Sequence, residues 1–173
     1  MRIETERLVL RPWREDDADT LYKYASDPEV GPAAGWAPHT SVEDSLNVLR
    51  TILIKPETWA ITIKPSDEAV GSIGVFPGHE ERQGGEREIG DWIAKPFWGR
   101  GCVPEAVRAL LSMYFSLGAE RIWCAHADFN DKSRRVIEKC GFRYQFTAPW
   151  QAPIGDFRNS LYYALTAEEF GDD

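Results

Sequence analysis

The chain has 173 residues, about the size of one domain and short for two. Twenty Lys and Arg against 28 Asp and Glu leave a formal net charge of −8, which argues against a broad nucleic-acid or anionic-membrane surface and favours cationic partners. With 43% hydrophobic and 12% aromatic residues, including seven Trp, the composition is that of a chain with a sizeable core and not a disordered one.

In chain order, "TERLVLRPW" reads as a first strand, and "REDDADTLYKYASDP" as a helix with acidic residues in its first turn and a stop at Pro28. "GPAAGWAPHTS" is turn-rich. After it, Val42, Leu46, Leu49 and Leu53 recur at helical spacing behind Ser41, a residue suited to the N-cap. "TWAITIK", "AVGSIGVF" and "EREIGDWIA" are short runs rich in β-branched and aromatic residues between turn signals, which predicts three consecutive antiparallel strands. "PEAVRALLSMYFSLG" predicts a helix with Pro104 at its first position and Gly118 at its stop. "RIWCAHA" follows as a buried strand. "NDKSRRVIEKCG" is a helix capped by Asn130 and ended by Gly141, and "FRYQFTA" and "FRNSLYYALT" close the chain as strands. No repeat or linker interrupts the series, so residues 1–173 are expected to form one mixed α/β (α+β) domain around a mostly antiparallel central sheet flanked by helices.

Cys102, Cys124 and Cys140 are odd in number and lack CxxC spacing, so no disulfide framework and no metal site is expected, and the implied compartment is reducing. The stretch "MRIETERLVLRPWRED" is charged throughout, and no apolar run approaches the ~18 residues of a membrane span. A cytoplasmic chain with no membrane and no nucleic-acid partner is expected.

The segment "KPFWGRGCVPEA", residues 95–106, sets Gly99 and Gly101 immediately before a helix. Glycines open backbone angles closed to other residues, and the helix start offers unpaired N–H groups and a positive dipole end, a geometry suited to phosphate. An ordinary tight connection has the same signature. A P-loop would need GxxxxGK[ST], and a dinucleotide fingerprint would need a small residue where Pro104 stands; neither is present.

Taken together, "EIGDWIAKPFWGRGCVPEA", the strand "RIWCAHA", "NDKSRRVIEKCGF" and the opening "TERLVLRPW" resemble the GNAT acyl-CoA N-acyltransferases, in particular their RimJ/RimL-type N-acetyltransferase branch. The resemblance spans nearly the whole chain. It implies acetyl-CoA as cosubstrate and an amine acceptor, either a protein N-terminus or a small molecule, and leaves monomer and homodimer open. By the same resemblance Trp98, Gly99, Arg100, Gly101, Cys102 and Val103 form the pyrophosphate loop. Val103 stands where the family prefers Gly or Ala, and Pro104 removes one donor. Trp92, Ile93 and Ala94 match the strand whose backbone pairs with the pantetheine arm. Asn130 and Ser133 match the start of the helix bordering that arm, and Arg135 lies one turn on, towards the nucleotide phosphate. Capping by Asn130 and an i,i+4 pair between Arg134 and Glu138 are the plain structural readings of that helix.

An amine attacking a thioester must lose a proton, and the leaving thiolate must be protonated or tolerated. Glu88 resembles the carboxylate some GNAT members use as base. Asp91 competes with it, and strand alternation places the two on opposite faces. Glu88 is preferred as base, while Asp91 and Trp36 are assigned to the acceptor. The tyrosine many GNAT members carry on the later helix has no match in "RRVIEKC", and Ser133, the nearest hydroxyl, is assigned to catalysis as a hydrogen-bond donor to the leaving thiolate. His126 and His79 are possible proton shuttles, Trp59 and Trp150 possible pocket walls, and Cys102 is assigned no covalent role. The rival readings are a non-catalytic acyl-CoA sensor and a protein-interaction module on the same fold.

Overall fold

A computed structural model of the chain describes residues 1–77 and 86–171. The expected His79 lies outside the described residues. The elements run β1 (Ile3–Glu4), β2 (Leu8–Pro12), α1 (Ala18–Ala25), α2 (Gly31–Ala34), α3 (Val42–Val48), β3 (Thr58–Ile63), β4 (Ala69–Pro77), β5 (Arg87–Ile93), α4 (Cys102–Ser116), β6 (Arg121–Ala127), α5 (Asp131–Lys139), β7 (Arg143–Gln151), β8 (Phe157–Thr166) and α6 (Ala167–Gly171). The strands form one eight-stranded sheet in the order β1-β2-β3-β4-β5-β6-β8-β7, antiparallel at every pairing except β5 with β6. The mixed, mostly antiparallel architecture is the one expected.

The caps follow the local signals. The Ser41 side chain accepts from the Asp44 N–H, the Asn130 side chain accepts from the Ser133 N–H, and Gly118 and Gly141 take φ of 92° and 87° after α4 and α5. Four details differ from expectation. A two-residue strand precedes β2, and the turn-rich loop holds the short α2. Beyond α3 the chain continues as a π-helical turn through Leu49–Leu53. α4 starts at Cys102, which makes Pro104 its third residue; a first-turn proline still sacrifices no intrahelical bond.

Two apolar layers cover the two faces of the sheet. On one, Val103, Ala106, Val107, Leu110, Leu111 and Tyr114 of α4 and Ile137 of α5 pack on Leu8, Leu10, Ile61, Ile73, Ile89, Ile93, Ile122 and Cys124. Leu110 and Leu111 are wholly buried, each worth about 1.5–3 kcal/mol relative to exposure. On the other, Leu21 and Ala25 of α1, Leu46 of α3 and Leu49 pack with Trp13, Trp36, Ala60, Ala69 and Trp92. Arg11 of β2, only 4% exposed, forks onto Asp17 at 2.7 and 2.9 Å and reaches Asp67 at 2.8 Å, tying α1 to the β3–β4 connection.

What positions the site is the parallel pair. Among the described residues β5 and β6 pair at Arg87↔Ile122, Glu88↔Trp123 and Ile89↔Cys124 and no further. Past that point β5 stays with β4 as far as Gly71↔Ile93, and β6 stays with β8 as far as Ala127↔Ser160. The sheet therefore forks, with Gly90–Ile93 on one arm and Ala125–Ala127 on the other.

Candidate active site

The glycine turn follows the β5 arm of this fork and leads into α4. Gly99 and Gly101 hold φ of 71° and 76°, the left-handed region that a side chain disfavours, and Gly101 is the N-cap of α4. Among the described residues no hydrogen bond is made by the N–H groups of Gly99, Arg100, Gly101, Cys102 or Val103. The turn is held from outside: Arg7 donates to the Arg100 carbonyl at 2.8 Å and to Glu105 at 2.7 Å, and Thr5 donates to the same carboxylate at 2.5 Å. Burial pushes the Glu105 carboxyl up, but the hydrogen bonds from the Thr5 hydroxyl and from the Arg7 N–H and guanidinium outweigh it and draw the carboxyl below its usual range. The unpaired donors thus sit on a braced frame, and an anion can take up several at once.

Trp98 bridges the turn and the fork. Its indole N–H donates to the Ile93 carbonyl at 2.8 Å, and the Lys132 ammonium from the first turn of α5 lies 3.6 Å from the ring centroid. Arg100 is exposed, its guanidinium 5.3 Å from the Phe97 ring. Arg7, 93 residues before Arg100, and Lys132 were missed in the sequence, because neither belongs to the glycine segment that their contacts support.

The backbone of β5 divides by alternation. The Ala94 N–H donates to the Val70 carbonyl, so Ala94 and Trp92 turn their peptide groups towards β4, while Ile93 and Asp91 turn theirs into the fork. Of the three residues expected to pair with a ligand arm, Ile93 alone turns its peptide groups into the fork. Its carbonyl already takes Trp98, which leaves its N–H and the Asp91 peptide groups.

Side chains divide in the same way. Ile89 and Ile93 belong to the α4 and α5 layer, and Asp91 between them shares their face; its charge acts on the thiols of Cys124 and Cys140. Trp92 belongs to the α1–α3 layer, where its ring meets Trp36 edge-on at 5.6 Å. Glu88 shares the Trp92 face, directly across from Phe76 on β4 and Trp123 on β6. Asp91 and Trp36, grouped as acceptor residues in the sequence, are therefore on opposite faces of the sheet. Asp91 is open to water yet ringed by protein deep in the fork, and desolvation alone pushes its carboxyl up to about 6.

Asn130 is engaged at both ends, accepting from the Ser133 N–H at 3.1 Å and donating to the Ala33 carbonyl at 3.3 Å, which ties α5 to α2. Ser133 is half-buried in the first turn of α5, and Arg135 is exposed. Arg134 pairs with Asp131 at 3.2 Å, in place of the expected partner Glu138. His126 is buried, with Nδ1 2.8 Å from the Ala127 carbonyl and Nε2 3.3 Å from the Tyr163 hydroxyl, so both ring nitrogens have partners. Trp59 belongs to the core layer under α4: it is 4% exposed and its indole donates to the Met1 carbonyl. Trp150 packs beside Gly35, at the rim that holds Trp36. Burial raises the thiols of Cys102, Cys124 and Cys140, the last to about 11. No group of metal-ligating side chains occurs among the described residues.

The chain and its fold have counterparts among known proteins. Residues 7–143 match the family model described as "Acetyltransferase (GNAT) domain". The uncharacterized N-acetyltransferase p20 of Bacillus licheniformis is 31% identical over 145 residues, 80% of each chain. The acetyltransferase (GNAT family) from Bacillus anthracis superposes with a TM-score of 0.82 at 23% identity, over 97% of this chain and 99% of that one. AAC(6')-Ib, solved in complex with ribostamycin and coenzyme A, superposes with a TM-score of 0.74 at 22% identity, over 96% and 97%. These two structures share the fold.

Proposed function

The chain belongs to the GNAT acetyltransferase family and is an acetyl-CoA-dependent acetyltransferase, and from that premise we propose that it acetylates a primary amine in a ternary complex. The acceptor is a protein N-terminal amine, as in the RimJ/RimL-type branch, or a small-molecule amine. The observation that carries this reading is the fork in the sheet followed by a glycine turn in which the N–H groups of residues 99–103 make no hydrogen bond among the described residues. The glycine turn takes the pyrophosphate, the Ile93 N–H and the Asp91 peptide groups take the amides of the arm, and Lys132 and Arg100 add positive charge beside the turn. The fold's likeness to a structure holding coenzyme A supports the same assignment.

Direct attack is favoured because no thiol here is activated: all three cysteines are buried with raised pKa values, the reverse of a nucleophile's environment. Glu88 serves as the base. It lies on the face that carries Trp36 and Trp92, where an amine entering opposite α4 meets a carboxylate that attracts the cation and takes its proton directly or through water. The test has two stages. Acetyl-CoA at ~100-fold its Kd should stabilise the protein by about 2.7 kcal/mol, and a mass-spectrometric screen of amines should then find acetylated product with intersecting kinetics. Binding without turnover of any amine would indicate a sensor, and ping-pong kinetics would overturn direct attack.

A further inference from the structure

We propose that Asp91 is the proton donor to the departing CoA sulfur, so that the two carboxylates of β5 divide the proton transfers by face, Glu88 towards the acceptor and Asp91 towards the cosubstrate. The proposal rests on the acetyl-CoA assignment above. It starts from three observations of placement. Asp91 lies in the part of β5 that has lost its β6 partner, two residues past the last pair, Ile89↔Cys124. It is on the face that α4 and α5 cover, and α4 begins at the glycine turn, with Gly101 as its N-cap. Its peptide groups point into the fork, so an arm pairing with them brings its far end past this side chain. At about 3.3 Å per residue the arm of the fork from Ile89 to Ile93 is ~13 Å long, room for an extended chain entering at the Ile93 end.

Its surroundings suit a donor. Among the described residues no lysine, arginine, histidine or hydrogen-bond donor acts on Asp91, so no side chain of the protein favours its ionised form. The titratable groups that feel its charge are the Cys124 thiol on β6 and the Cys140 thiol at the end of α5, both kept protonated by burial. Desolvation lifts the Asp91 carboxyl to about 6, so about a tenth carries the proton at pH 7. An ordinary thiol lies near 8.5, and transfer from this acid to a thiolate is downhill by about 2.5 pKa units. In the step itself the amine nitrogen bonds to the acyl carbon, the carbon–sulfur bond breaks with its electron pair left on sulfur, and the Asp91 carboxyl passes its proton to that sulfur. The amine's proton leaves on the Glu88 side, and Asp91 takes another from solvent. No oxidant, reductant or metal is needed.

The test uses free CoA as the probe and needs no acceptor. The thiol of CoA bound to the wild-type protein is titrated by its thiolate absorbance, with desulfo-CoA as the blank, and compared with CoA on Asp91→Asn and Asp91→Ser. An Asp91 carboxylate beside the sulfur opposes the thiolate, so the bound thiol should titrate about one unit or more higher in the wild type than in either variant. Both variants should bind desulfo-CoA within twofold of the wild type. Equal thiol pKa values in all three proteins would overturn the proposal while leaving acetyl-CoA binding intact. Failure of the wild type to bind CoA at all would overturn the assignment on which the proposal rests.

Discussion

Replacing Gly101 with Val should separate fold from ligand at the glycine turn. Gly101 holds φ of 76°, where an L-residue costs about 1–2 kcal/mol and a β-branched one more. A Cβ there would lie 3.3 Å from Arg7 Nη2, the end of a flexible side chain, so direct collision is the smaller problem. The larger one is that relief of the strain swings the N–H groups of Gly101 and Cys102 off their common direction, and the Arg7 link to the Arg100 carbonyl at 2.8 Å goes with them. A hydrogen bond to a charged group contributes about 1.5–3 kcal/mol, and losing even one weakens binding about tenfold or more. Isothermal titration with acetyl-CoA should therefore show Kd at least tenfold higher in Gly101→Val, with a cooperative unfolding transition retained. Gly118→Val is the control, because Gly118 has φ of 92° with open space around it and lies at the other end of α4. It should lose comparable stability and keep its affinity. A folded Gly101→Val protein that binds acetyl-CoA within twofold of wild type would refute the placement of the pyrophosphate at this turn.

Glu88→Gln keeps the shape and removes the charge; once an acceptor is identified, kcat at neutral pH should drop by about 10²–10⁴, with the deficit shrinking as pH rises and the free amine deprotonates. Near-wild-type kcat at pH 7 would clear Glu88. Arg11→Leu removes both guanidinium bonds from the Asp17 carboxylate, whose side chain is only 6% exposed and keeps the Arg14 N–H at 2.9 Å, and should cost about 3 kcal/mol in urea unfolding; the double variant Arg11→Leu/Asp17→Leu should recover much of it. For Asp91 the linkage runs opposite to an ion-paired acid. Its folded pKa of about 6 exceeds the unfolded value of about 3.9, so the native state binds more protons between these values and wild-type stability declines as pH rises from 4 to 6. Asp91→Asn escapes that penalty, so its Tm should exceed the wild type's at pH 7.5 and match it below pH 4. An Asp91→Asn protein less stable than wild type at pH 7.5 would mean that the carboxylate has a partner.

What the sequence determined alone is what depends on neighbours a few residues apart. Ser41 and Asn130 cap because each side chain reaches an N–H three residues on, and Gly118 and Gly141 end helices because only glycine takes positive φ without strain. The glycine turn, the strand–turn–helix order and the opposition of Glu88 and Asp91 are legible for the same reason, since a period of two holds in any strand. Which helices cover each face of β5 was not legible: α4 and α5 cover Ile89 and Ile93 while α1–α3 cover Trp92, and those contacts join segments far apart in the chain. The same non-locality hid Arg7 behind the turn and Lys132 over Trp98, and sent Trp59 into the core when its composition-level reading equalled that of Trp36. The fork is the clearest case. No residue in β5 or β6 announces where their pairing stops; it stops because β4 and β8 hold the two strands on diverging halves of one sheet, and only tertiary structure sets that divergence.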